Sequence, residues 1–253
     1  MFPALSPAGT RCPNPAAADD GDEFTFCSTC AFSQACLSEG YAKQDLAALH
    51  VLVDHIGPYH AGQYIFREGD TFNAISAVRA GAVKTFIVDP AGNEQVLGFY
   101  LPGEVIGLNA IHAARFPCNA VALDTVTLCR FSFPQLATLA AKMPGLQQHL
   151  FKLLSMDIGK SSMLAVDSLA EVRMAAFLVV LSRRYLARGF SAHRFNLAMT
   201  RADIANYLRI APETVSRIIR KFSNDGLIEV HQRDVHLMDI ARLEALARAI
   251  LRD

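Results

Sequence analysis

Between about residue 46 and residue 134, short apolar runs alternate with residues that favour turns. Glycine, proline, aspartate and asparagine mark these turns, for example in Gly57-Pro58, Glu68-Gly69-Asp70 and the segment 89–93. Apolar runs of this length between closely spaced turns are typical of antiparallel strands. The pattern predicts an antiparallel β-roll or sandwich over this part of the chain.

The apolar spacing changes after residue 143. Leu150, Leu153, Leu154 and Ile158 recur at helical intervals, which predicts one long helix with an apolar face over 143–167. That face either packs against the roll of its own chain or joins a second copy in a two-stranded coiled coil. We favour the coiled coil and therefore predict a homodimer.

A separate helix is predicted to begin at Ser168. Ser168 and Glu171 have the spacing of a capping box, and Gly189 suits the end of a helix that runs to Ala187. We therefore expect a domain boundary near 166–168.

Two short helices joined by a tight turn are predicted next. Thr200 and Asp203 form a second N-terminal capping signature, and Pro212 suits the first position of the following helix. The inward-facing positions are expected to be Ile204, Ala205, Leu208, Val215, Ile218, Ile219 and Phe222. Two strands over 227–231 and 234–238 and a helix over 239–251 would complete a winged helix-turn-helix.

The opposite face of the second helix carries hydrogen-bonding side chains. Glu213, Ser216, Arg217 and Arg220 share this face because they stand at i, i+3, i+4 and i+7. Arg217 can donate two hydrogen bonds to guanine, Glu213 can accept one from cytosine, and Ser216 can bond either way. The second helix of a helix-turn-helix enters the major groove, so we interpret this face as base-reading rather than merely solvated.

The distribution of charge agrees with this interpretation. The net charge is zero, yet residues 173–253 contain 14 Lys+Arg against 8 Asp+Glu, whereas residues 1–172 contain 10 against 16. A basic domain suits binding to a polyanion. No apolar run reaches the length of a membrane span and the N-terminus lacks a signal-peptide pattern, so we expect a cytoplasmic protein without a membrane partner.

Three cysteines lie within ten residues, after a leader over 1–23 that is predicted to be flexible. Cys27, Cys30 and Cys36 can wrap one metal centre, because clustered thiolates hold iron–sulfur clusters, zinc or copper(I). Disulfides are rare in the cytoplasm, which favours metal or redox chemistry. The residues alone leave the fourth ligand open among Cys12, Cys118 and Cys129.

The segments 199–208 and 213–217, with 181–184 and 188–191, resemble the CRP/FNR transcription regulators and specifically their FNR branch. The resemblance extends from about Cys27 to about Met238. It implies an α+β protein with a cyclic-nucleotide-binding-like antiparallel β-roll, a long dimerisation helix and a C-terminal winged helix-turn-helix. The implied divisions are a leader at 1–23, a sensor domain at 24–142, the dimerisation helix at 143–167 and a DNA-binding domain at 168–253.

The resemblance also implies the partners. These are double-stranded DNA with a palindrome similar to TTGAT, four spacer bases and ATCAA, a second copy of the chain, and RNA polymerase. The palindrome would be read by Glu213, Ser216 and Arg217, and the further DNA-binding residues would be Thr200, Arg201 and Arg220. The cAMP-binding branch has an arginine where this chain has Pro212, which favours the FNR-type site.

A 4Fe-4S cluster is the cofactor that the resemblance implies. Cys27, Cys30 and Cys36 reproduce the C-x2-C-x5-C spacing of the FNR branch, and Cys129 stands where that branch has its distant fourth ligand. The protein would sense oxygen, with nitric oxide as an alternative signal, and would bind DNA while the cluster is intact. Structural zinc, thiol-only redox switching and a small-molecule effector are the competing interpretations.

The implied dimer interface comprises Leu150, Leu153, Asp157, Ile158 and Ser161. The family often has a second acidic residue where Ser161 stands, and the linker that follows is three residues shorter here. With less acidic repulsion across the interface, a dimer that persists without the cluster is an open alternative.

Three other functions fit the residues less well. A cAMP sensor needs an arginine followed directly by Ser or Thr, about ten residues after a Gly-Glu pair. Here Gly103-Glu104 is the pair, but the arginine that comes after it, Arg115, is followed by Phe116 and Pro117. A cupin-like metalloenzyme needs grouped histidines, whereas His50, His55, His60 and His112 are scattered. A haem sensor would leave the cysteine triplet unused, and we therefore expect a regulator and not an enzyme.

Overall fold

The computed structural model describes residues 52–163 and 168–251, with side chains omitted over 159–163. Within these ranges no helix is both long enough and apolar enough to cross a membrane. The strands are β1 (Val53–Tyr59), β2 (Tyr64–Phe66), β3 (Ala74–Ala80), β4 (Val83–Val88), β5 (Glu94–Tyr100), β6 (Val105–Ile106), β7 (Asn119–Ala122), β8 (Val126–Ser132), β9 (Arg194–Asn196), β10 (Ile228–His231) and β11 (Asp234–Leu237). The helices are α1 (Phe133–Lys142), α2 (Pro144–Met163), α3 (Ala170–Leu186), α4 (Arg201–Leu208), α5 (Pro212–Asn224) and α6 (Ile240–Ala247).

The predicted antiparallel roll is confirmed. Strands β1 to β8 form two four-stranded sheets, in the orders β1-β8-β3-β6 and β2-β7-β4-β5, and every pairing is antiparallel. In the first sheet Ile75 lies opposite Phe131, and both side chains are almost completely buried. Leu136 of α1 and Leu146 of α2 join the same apolar cluster. The roll and the start of the long helix therefore share one core.

Helix α2 presents two different faces, and the prediction of a long helix is confirmed. Leu150 and Leu153 are half-buried against the roll. Phe151 and Ile158 face away from it and are 61% and 69% exposed. Exposed large apolar side chains seven residues apart are typical of a surface that a second helix covers. Ser161 lies in the last turn of α2.

The capping box predicted at Ser168 is wrong. Helix α3 begins at Ala170, its N-cap residue is Leu169, and no side chain caps it. Instead, the Arg173 guanidinium donates from Nε to the carbonyl of Ser168 at 2.9 Å and from Nη1 to the carbonyl of Leu208 at 2.9 Å. The second of these bonds ties the start of α3 to the end of α4.

The winged helix-turn-helix is confirmed, with one strand that the sequence did not reveal. Strands β10 and β11 form the predicted hairpin, and β9 adds to the free side of β11 to give the order β10-β11-β9. Helix α6 ends at Ala247 and is thus shorter than predicted. Helix α4 buries Ile204, Ala205 and Leu208, as expected.

The core of the winged domain extends into the roll. Val96, Phe99 and Leu101, all from the β5 region, are buried in the same apolar cluster as helices α3 to α6. Phe99 contacts Phe177 and Tyr207, with ring centroids 6.3 and 5.2 Å apart. Because apolar burial is the main stabilising term in folding, this shared cluster holds the two parts of the chain together.

Candidate DNA interface and candidate cysteine ligand

The helix-turn-helix begins with the capping box that the sequence predicted. The Thr200 hydroxyl accepts a hydrogen bond from the backbone N–H of Asp203 at 3.1 Å, and the Asp203 carboxylate accepts one from the backbone N–H of Thr200 at 3.0 Å. These bonds satisfy donors that the start of a helix leaves unpaired. Thr200 and Arg201 are exposed at this end of α4, where a phosphate could approach.

The turn between the two helices has an unusual conformation at Arg209. This residue is the C-cap of α4 and adopts left-handed backbone angles, with φ 54° and ψ 47°. Glycine favours this region because it has no Cβ, whereas other residues are strained there. Pro212 then occupies the first turn of α5, as predicted. The turn sets the angle between α4 and α5.

Helix α5 separates a buried face from a polar one. Val215, Ile218, Ile219 and Phe222 are buried. The predicted DNA-reading residues, Glu213, Ser216, Arg217 and Arg220, are all exposed on the other face. The structure thus brings these four side chains to one solvent-facing surface.

Cys129 lies in the middle of β8, with His55 of β1 and Ala77 of β3 as its neighbours in the sheet. Its side chain is half-buried, and its Sγ atom is 3.5 Å from Nδ1 of His55. The thiol is therefore within reach of a group outside the sheet. Cys12, Cys27, Cys30 and Cys36 lie outside the described residues, and no group of three candidate metal ligands occurs among the described ones.

Cys118 has a different environment. Its side chain is 1% exposed, and its sulfur accepts a hydrogen bond from the Asn109 amide at 3.6 Å. Burial raises the pKa of the Cys118 thiol, which disfavours the thiolate form that binds metals. Of the two cysteines that the structure describes, Cys129 is better suited to hold a metal centre.

The carboxylate that a cAMP sensor would use has other partners here. Glu104 is 8% exposed, and its two oxygens lie 2.5 Å from Nη2 of Arg184 and 2.7 Å from Nη2 of Arg188. Arg115 is exposed and donates to the carbonyl of Gly69. The sequence did not reveal the Glu104 cluster, because Arg184 and Arg188 stand 80 and 84 positions after Glu104.

An antiparallel roll followed by a winged helix-turn-helix defines a class of DNA-binding transcription regulators. Profiles of two families match the chain: the cyclic nucleotide-binding domain over 57–143 and the Crp-like helix-turn-helix domain over 172–246. Two solved structures share the fold. FixK2 from Bradyrhizobium japonicum has a TM-score of 0.69 at 23% identity and covers 77% of this chain and 96% of its own. A CooA mutant from Carboxydothermus hydrogenoformans has a TM-score of 0.64 at 17% identity and covers 85% and 94%.

Two curated relatives show to which branch of this class the chain belongs. The transcriptional activator protein Anr of Pseudomonas aeruginosa is 40% identical over 224 residues, which are 87% of this chain and 92% of that protein. The fumarate and nitrate reduction regulatory protein of Salmonella typhi is 37% identical over 224 residues, or 87% and 90%. The chain belongs to the FNR branch of the CRP/FNR family of transcription regulators.

The strained turn leads to a stability prediction. Replacing Arg209 by glycine should raise the free energy of unfolding by roughly 0.5–1 kcal/mol, because the left-handed conformation costs about 1–2 kcal/mol for other residues and glycine adds only about 0.5–1 kcal/mol of chain entropy. Arg209→Ala is the control, since alanine keeps the strain. Denaturant unfolding measures both variants, and an equal change in the two would contradict this explanation.

Proposed function

We propose that this protein is a dimeric transcription regulator that holds a 4Fe-4S cluster and binds an FNR-type palindrome while that cluster is intact. The observation that carries the proposal is a half-exposed Cys129 on the roll of an FNR-branch chain whose sequence also contains the C-x2-C-x5-C triplet. The protein would act by binding DNA, and oxygen or nitric oxide would be the signal that controls this binding. Its relatives include a transcriptional activator, which supports RNA polymerase as a partner.

DNA reading is supported by the exposed face of α5. Arg217 offers the planar pair of donors that matches guanine O6 and N7, and Glu213 offers an acceptor for the cytosine amino group. Ser216 lies between them on the same face, while Arg220, Arg201 and Thr200 suit the phosphates on either side. In a palindrome each half-site receives one such helix, so a dimer doubles the contacts.

The dimer interface of the proposal runs along α2. Phe151 and Ile158 form an exposed apolar strip, and the half-buried Leu154 packs against the roll beside it. Leu150, Leu153 and Asp157 lie on the side nearer the roll, where the Asp157 carboxylate accepts a hydrogen bond from the Tyr100 hydroxyl at 3.3 Å. A second copy that covers the strip would remove Phe151 and Ile158 from water, which stabilises association.

The cluster ligands of the proposal are Cys27, Cys30, Cys36 and Cys129. Four thiolates suit an iron–sulfur cluster, and the cluster would supply the sensitivity to oxidants. Cys129 would tie the cysteine segment to β8. Strand β8 and the roll-facing side of α2 pack in the same apolar cluster, so a change at Cys129 has a packed route to the dimer helix.

Iron analysis tests the cofactor. Full-length protein purified without oxygen should contain about four irons per chain and show a broad visible band that bleaches in air. Cys129→Ala should prevent assembly. Cys118→Ala is the matched control and should keep the iron, because that thiol is buried away from solvent. Stoichiometric zinc without colour would contradict the iron–sulfur cofactor. Loss of iron only in the Cys118 variant would contradict Cys129 as the ligand.

Arg217→Ala tests the DNA-reading role. Affinity for the palindrome should fall by about 1–3 kcal/mol per half-site, and the preference for the contacted base should relax. Arg201→Ala is the comparison, since the loss of a phosphate contact weakens binding to all sequences and lowers the salt dependence. Binding is measured without oxygen on palindromes with single-base changes. An equal loss from Arg217→Ala on every palindrome would rule out base reading by this residue.

A further inference from the structure

The first helix of the helix-turn-helix is attached to the edge of the roll by its own side chains. Among the described strands, β5 is an edge strand of its sheet, so part of its backbone has no partner from those strands on that side. Asn206 of α4 fills this place: its Oδ1 accepts from the N–H of Val96 at 2.7 Å, and its Nδ2 donates to the carbonyl of Glu94 at 2.6 Å. One side-chain amide thus imitates a paired strand residue.

A buried ion pair involves the residue that lies one helical turn before Asn206 on α4. Lys84 of β4 is 9% exposed, and its Nζ atom lies 2.9 Å from an oxygen of Asp203 and 2.9 Å from an oxygen of Glu94. Asp203 and Asn206 are at i and i+3 on α4, so one side of this short helix makes both contacts. Asp203 is also the capping-box residue, which ties the start of α4 to the roll.

The ion pair is fully charged near neutral pH. Burial alone would lower the pKa of Lys84, but hydrogen bonds to Asp203 and Glu94 outweigh it and the pKa is raised. Burial alone would raise the pKa of Asp203, but hydrogen bonds from Thr200 and Lys84 hold it below its usual range. The stabilisation is therefore lost only when the pH falls below the usual range of aspartate or rises above that of lysine.

We propose that Asn206, together with the Lys84–Asp203 pair, is an interdomain lock that holds the recognition helix at the angle and separation a palindrome requires. Helices α4 and α5 are joined by a tight turn and a shared core, so fixing α4 fixes α5. The contacts lie on the roll side of α4, while the reading face of α5 remains exposed. The lock thus positions the DNA-reading face without covering it.

The physical effect of such a lock is to remove rotational freedom before DNA is bound. Half-sites lie about one turn of DNA apart, so both recognition helices must arrive at a defined spacing. A domain that could rotate freely would lose that freedom on binding, which lowers affinity. It would also tolerate half-sites at other spacings. The lock therefore contributes selectivity for the spacer and not for the bases.

Spacer selectivity gives the test, which rests on the proposed function. Full-length protein is titrated without oxygen against palindromes with spacers of three, four and five bases, and against four-base palindromes with one altered half-site base. Asn206→Ala should lose roughly tenfold in affinity at the preferred spacer, because the winged domain must then lose its added freedom on binding. Its preference among spacers should flatten, and its preference among bases should stay.

Asn93→Ala is the matched control, because Asn93 lies in the same β4–β5 hairpin but bonds to Asp89 within the roll. It should behave as the wild type does. Asn206→Asp is a second variant of the same size, which can still accept from Val96 but cannot donate to Glu94. Unchanged spacer preference in both Asn206 variants, or an equal loss in Asn93→Ala, overturns the lock.

Hydrogen exchange separates failure of the lock from failure of the proposed function. In the free protein, Asn206→Ala should speed exchange of the amide of Val96, and Asn93→Ala should not. If the wild-type chain fails to bind any palindrome, the proposed function is wrong, and the exchange result alone then decides the lock. Unaltered exchange at Val96 in the Asn206 variants would overturn it.

Discussion

The way the roll and the winged domain meet depends on how the buried carboxylate of Glu104 is neutralised. An unpaired charge in such a place would cost several kcal/mol, so Glu104 requires cations from outside the roll. Helix α3 of the winged domain supplies Arg184 and Arg188, and Arg188 also donates to the carbonyl of Pro102 at 2.6 Å. If the winged domain moved away, Glu104 would lose both ion pairs. These ion pairs hold α3 against the roll, while the Asn206 contacts hold α4 against it.

Packed surfaces connect Cys129 on the roll with the recognition helix of the winged domain. Strand β8 carries Cys129 and shares a core with α2, while the β5 region shares a core with the winged domain. A small change at the edge of the roll can reach the recognition helix through these packed surfaces, because close-packed cores shift as units. A cAMP sensor would use the carboxylate at the position of Glu104 to bind its nucleotide. In this chain Glu104 instead pairs with Arg184 and Arg188.

The sequence predicted what depends on local periodicity. Turn spacing predicted the roll, leucine spacing predicted α2, and the Thr200 capping box and Pro212 predicted the two helices of the helix-turn-helix. It did not predict contacts between distant residues, such as Asn206 with β5, because no periodic pattern marks a pairing across about 110 positions. The spacing of Ser168 and Glu171 predicted a capping box that does not form. The sequence also did not reveal that Arg173 donates to the carbonyl of Leu208, 35 positions away. Phe151 was missed because helical spacing does not reveal which apolar face the roll covers.

One preparation can test whether the state of the cysteine site governs DNA binding. Protein purified without oxygen is titrated against the TTGAT palindrome, exposed to air until its visible band has bleached, and titrated again. We predict tight binding before air and a loss of at least about tenfold in affinity afterwards, a size typical of coupling between two sites. Equal affinity before and after bleaching would contradict it.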